Sequence, residues 1–121
     1  MIASATIAIP TASASVINSS LSNVRDGFRG RDLTHSTNTP VQAGFIGCSS
    51  NAPAANSKFN IELKENISWK PDRSVGTRDA KQCFYQPWRV GWGNPSKGKY
   101  YMVVRSHAWQ STSAKNFNMY F

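Results

Sequence analysis

Short runs of alternating apolar and polar residues, each bounded by turn-forming residues, constrain this chain more than any other feature. Phe59-Asn60-Ile61-Glu62-Leu63-Lys64 sets Phe59, Ile61 and Leu63 on one face and polar side chains on the other, the period of a half-buried strand. Lys99-Tyr100-Tyr101-Met102-Val103-Val104-Arg105 is a β-branched and aromatic run with polar ends, which reads as a central strand. Phe117-Asn118-Met119-Tyr120-Phe121 reads as another, as do Val41 to Ile46, Cys83 to Trp88 and Thr6 to Ile9. Asn51-Ala52-Pro53, Lys70-Pro71-Asp72, Val75-Gly76-Thr77 and Trp92 to Gly98 supply turns between them. With 121 residues there is room for one such domain, over residues 1–121, and the expected architecture is an all-β sandwich.

One stretch departs from that pattern. Ile17, Leu21, Val24 and Phe28 recur at helical spacing, which admits a short helix near residues 15–28. The abundance of serine there and the shortage of strong helix formers argue against it. No Lys or Arg precedes Arg25, and Pro10 interrupts the first apolar stretch, so residues 2–9 read as a strand of the mature chain and not as a secretory signal. No apolar run approaches the roughly 18–20 residues that span a bilayer as a helix. The expectation is a soluble chain that is released or acts on a membrane surface.

Cys48 and Cys83 stand 35 positions apart, outside any CxxC or zinc spacing. A disulfide between them is geometrically allowed, but the strong burial preference of cysteine favours two buried free thiols. The chain has no HExxH, no phosphate-binding glycine loop and no Asp-rich calcium loop, so neither metal nor cofactor is expected.

Charge is distributed unevenly. The formal charge is +8, and residues 80–121 hold six basic side chains and no acidic one. All four tryptophans lie between Trp69 and Trp109, so basic and aromatic residues share one third of the molecule. The segment from Phe84 to Tyr101 mixes Trp, Tyr, Lys and Arg with Gly and Pro on both sides of Trp92, which disfavours burial of every ring. Tyr85, Trp88 and Trp92 have the amphipathic rings of a membrane interface, and Arg89, Lys97 and Lys99 the charge to meet lipid phosphates. The same residues suit stacking on bases and neutralising nucleic-acid phosphates, and the bland alternative buries Trp88 and Tyr101 in the sandwich. A catalytic alternative uses His35, Glu62, Arg105 and His107, the side-chain types of a metal-free ribonuclease. Asp26 and Asp32 around Phe28-Arg29-Gly30-Arg31 read as a salt-bridged surface.

Phe84-Tyr85-Gln86-Pro87-Trp88, followed by Ser96 to Val104 and by Ser111 to Tyr120, resembles the second half of the aegerolysin family. Upstream, Phe45 to Pro53 followed by Phe59 to Leu63 is similar to that family's strand, small-residue loop and strand. The resemblance covers mainly residues 42–121, and Tyr85 stands where the family usually has Asp. It implies a non-enzymatic β-sandwich that binds membrane lipids, often with sphingolipid-type headgroups, through aromatics at one end. It also implies one component of a two-part pore-forming or insecticidal toxin with a larger protein partner. By position, Trp88 and Trp92 are the membrane-facing aromatics that it carries over. Two other expectations stand beside it: a self-assembling virion or filament subunit with a basic surface facing nucleic acid, and a ribonuclease-like toxin.

Overall fold

The computed structural model describes residues 15–121 and folds them into two four-stranded antiparallel sheets packed face to face. The strands are β1 (Val16–Val24), β2 (Leu33–His35), β3 (Gln42–Ser50), β4 (Asn60–Glu65), β5 (Arg73–Asp79), β6 (Trp88–Gly91), β7 (Gly98–Arg105) and β8 (Thr112–Tyr120). Sheet A has the order β1-β8-β3-β6, and sheet B the order β2-β7-β4-β5. The expected all-β sandwich is therefore the fold of the described residues, and the strand expected at Thr6 to Ile9 lies outside them.

Alternation places the core. From sheet A, Ala43 and Phe45 of β3 and Phe117 and Met119 of β8 point inward; from sheet B, Ile61 and Leu63 of β4 and Tyr100, Met102 and Val104 of β7 meet them. The Phe45 and Phe117 rings stack at 5.1 Å within sheet A, and Phe59 meets Phe45 edge-on at 5.1 Å from the other side. β7 lies between β2 and β4, as a central strand should.

Four local expectations are corrected. Residues 16–24 form a strand and not a helix. β1 and β8 shift register on both sides of Leu21, and Asn23 has φ 51°, so the strand is rephased and Leu21 and Val24 both face the core despite their odd spacing. Bulges thus imitated a helical stripe. The segment from Cys83 opens on a 3-10 turn, Lys81–Phe84, and β6 begins only at Trp88 because Pro87 has no N–H to give a ladder. Val75-Gly76-Thr77 does not turn the chain but lies inside β5, where Gly76 takes φ 139° beside a register shift. Lastly, Cys48 and Cys83 are joined in a disulfide, with Cα atoms 5.5 Å apart, which ties β3 to the turn that follows β5.

Candidate functional site

The six side-chain carboxylates are Asp26, Asp32, Glu62, Glu65, Asp72 and Asp79. Each lies on a strand of sheet B or on a connection beside one, and the strands of sheet A carry only Arg89 and Lys115 as charged residues. The two outer faces differ accordingly.

On the outer face of sheet B the cations are matched. Arg105 makes a two-pronged contact to Glu62 at 2.8 and 3.1 Å, and Arg73 reaches Glu65 at 3.0 Å. Arg29 lies over the Tyr101 ring, 3.6 Å from its centre, and is held by Asp32 at 2.8 Å. The Tyr101 hydroxyl donates to Asp72, which raises the tyrosine pKa. That bond and the Ile67 N–H hold the Asp72 carboxyl below its ordinary range. Burial pushes Glu62 up, but hydrogen bonds from Ser74 and Arg105 and the charges of Arg105 and Lys64 outweigh it and leave the group lowered.

On the outer face of sheet A an Arg again lies over a Tyr: Arg89 is 4.1 Å from the centre of the Tyr120 ring. Here the guanidinium donates only to the neutral Gln42 side chain, at 3.3 Å, and no carboxylate pairs with it among the described residues. Gly44 pairs with Arg89 on one side and Asn118 on the other, and its missing side chain opens a pocket of about 200 Å³. Pro87, Trp88, Arg89, Asn118, Tyr120 and Ile46 line it, with Arg89 and Tyr120 stacked on each other. Ile46 and Val16, the latter paired with Tyr120, are 43% and 50% exposed, so apolar surface surrounds the pocket.

The six side chains expected to contact lipid do not form one site. Trp88 and Arg89 line the pocket, and Tyr85 is 62% exposed on the turn leading to them. Trp92 belongs to the core: it is 7% exposed, and its Nε1–H donates to the Gly76 carbonyl of β5 at 2.9 Å. Lys97 and Lys99 are exposed at the start of β7, in the other sheet. There the Lys99 carbonyl accepts from Asn66 at 2.8 Å, at the root of the loop that bears the exposed Trp69. Gly44, Ile46, Asn118 and Tyr120 were not among the candidates. Alternation in Phe117–Phe121 does aim Asn118 and Tyr120 outward, but it takes the strand order to set them beside Arg89.

Of the four side chains of the catalytic alternative, Glu62 and Arg105 meet, and His35 stands apart from them. His35 is buried opposite Gly98, with Nε2 at 2.9 Å from Asn94 Oδ1 and Nδ1 without a partner among the described residues. Arg105 stands seven residues further along β7, about 23 Å away at the strand rise. It is engaged by Glu62, while His107 stacks on Trp109 at 5.0 Å.

No protein-family model matches the chain, and no curated protein does. Among solved structures it is similar to a Yersinia pseudotuberculosis-derived mitogen, with 8% identity over 88% of this chain and 84% of that one and a TM-score of 0.44.

Proposed function

We propose that the protein is a non-enzymatic binding module that docks on lipid membranes bearing anionic headgroups, through the outer face of sheet A. One observation carries the reading: Arg89, a guanidinium without a carboxylate partner, sits in an aromatic-walled pocket on a sheet that has no acidic residue. Trp88, Tyr85, Ile46 and Val16 supply the exposed apolar surface for the interfacial layer, and Arg89 and Lys115 the attraction to a negative surface. The disulfide suits an oxidising setting outside the cytosol. No helix among the described residues is long and apolar enough to cross a membrane, so docking at the surface is the mode proposed.

Vesicle co-sedimentation tests the reading at about 0.15 M and 1 M salt, where the Debye length is roughly 8 and 3 Å. Vesicles containing phosphatidylserine should retain the protein, and Trp88→Ala and Arg89→Gln should each weaken retention, whereas Trp69→Ala should not. Loss in Trp69→Ala with full retention in Trp88→Ala would move the contact to the other sheet and end the proposal. Adding sphingolipid to the vesicles tests the headgroup class that the aegerolysin resemblance implies.

A further inference from the structure

Resting on that reading of the sheet A face, we propose that its pocket is a site for a carboxylated sugar ring, of the uronic-acid or sialic-acid class. The membrane headgroup it selects is then that of an acidic glycolipid and not a phospholipid phosphate. Four features of the pocket lead there.

The first is charge. Sites for a phosphate dianion gather several cations or a row of backbone N–H groups. This pocket offers one guanidinium, whose planar fork matches one carboxylate. The second is shape. About 200 Å³ over a glycine floor has room for a compact ring, more than a bare ion fills. The third is the walls. Tyr120, with one ring face under Arg89, and Trp88, at the sheet edge opposite Phe45, line the pocket beside Pro87 and Ile46, and give it the apolar lining that the C–H face of a pyranose needs. The fourth is neutral polarity. The Asn118 amide, the Tyr120 hydroxyl and the Trp88 N–H have no hydrogen-bond partner among the described residues and offer donors and an acceptor to ring hydroxyls. Sheet B supplies an internal contrast: its Arg over Tyr is closed by Asp32 and Asp72, and no ligand is assigned to it.

Gly44 gives the test its cleanest variant. Its φ is not positive, and a Cβ built there meets Tyr120 at 3.5 Å and the Arg89 Nε at 3.8 Å, ordinary contact distances. Gly44→Ala therefore leaves the strand intact while raising the pocket floor by a methyl group.

The experiment titrates the full chain with glucuronate, glucose, acetate and inorganic phosphate, followed by calorimetry and by tryptophan fluorescence. Glucuronate should bind at least about tenfold more tightly than glucose, acetate or phosphate, since each of those lacks the ring, the carboxylate or both. Gly44→Ala and Arg89→Gln should each remove about tenfold or more of that affinity while keeping the wild-type melting transition. Equal binding of acetate and glucuronate, no binding of glucuronate, or undiminished binding by Gly44→Ala would each overturn the assignment. Vesicles separate this proposal from the one beneath it. Retention on phosphatidylserine vesicles without glucuronate binding defeats the sugar site and leaves the membrane reading. Glucuronate binding without retention on any vesicle, acidic glycolipid included, defeats the membrane reading and leaves the sugar site.

Discussion

The two outer faces of the sandwich carry the same device in two states. On sheet B, Arg29 covers Tyr101, Asp32 neutralises the Arg and Asp72 takes the Tyr hydroxyl; the face is closed. On sheet A, Arg89 covers Tyr120 with only Gln42 for company, over a glycine that leaves a pocket; the face is open. A net charge of +8 does not distinguish the two, because both faces have cations. What distinguishes them is where the six side-chain carboxylates fall. A positive charge becomes available to a ligand only where the fold withholds its counter-charge, and here it does so for one entire sheet.

The largest effect should come from Trp92, which links the sheets: it follows β6 of sheet A, and its N–H donates to Gly76 in sheet B. Trp92→Ala removes a buried indole and leaves that carbonyl unpaired, for a loss of about 3–5 kcal/mol in chemical unfolding. Trp88→Ala, on the open face, should cost about 1 kcal/mol and act on binding instead. Similar stability losses in both would erase the distinction between strut and contact residue. Next in size is the disulfide. The double change Cys48→Ser and Cys83→Ser should lower stability by about 2–5 kcal/mol, read from the denaturant midpoint, with vesicle retention unchanged at temperatures where the chain remains folded.

A third change makes the open face resemble the closed one. Gly44→Asp hangs a carboxylate from a Cβ 3.8 Å from Arg89 Nε and so supplies the missing counter-charge. Retention on anionic vesicles should fall at least about tenfold, or about 1.4 kcal/mol. The reciprocal Asp32→Asn on sheet B should leave retention as it was, because Asp72 still holds Tyr101. If Asp32→Asn strengthens binding as much as Gly44→Asp weakens it, the faces are interchangeable and the pocket has no special part.

The strands of the core could be read in the sequence because their burial follows the period of two: Phe59, Ile61 and Leu63, or Phe117 and Met119. β1 was obscured because its bulges break that period, and Cys83 to Trp88 because a disulfide and Pro87 override its apolar run. Trp88 and Arg89 were legible as a basic-aromatic pair. Trp92 was not separable from them by composition: Trp88, Val90 and Trp92 share one parity, and only the packing shows that Trp92, just past β6, is buried while Trp88 at its start stays exposed. Gly44, Asn118 and Tyr120 carry no local signal that they line one pocket. They meet because β8 and β6 flank β3, a non-local order that alternation does not encode.

The smallest effect tests the contrast by protons alone. Glu62 and Asp72 have carboxyls held below their ordinary values by hydrogen bonds and nearby cations, and both belong to the sheet B side. A depressed carboxylate stabilises the fold fully above its unfolded pKa, about 4.3 for Glu and 3.9 for Asp. That contribution is lost as the pH falls through the lower folded values, whereas the strands of sheet A have no Asp or Glu side chain to protonate. Amide exchange compared at about pH 6 and pH 3, after correction for intrinsic rates, should therefore show β4, β5 and β7 losing protection relative to β3 and β8. Exposure of these ion pairs keeps the difference modest, on the order of 1 kcal/mol or less for the Glu62–Arg105 contact. Glu62→Gln should abolish part of that change between about pH 6 and pH 3, because it removes the Glu62 contribution already at pH 6. Equal loss in both sheets would mean that acid acts on the sandwich as a whole, and that the asymmetry of charge governs what the faces bind without governing how firmly each is held.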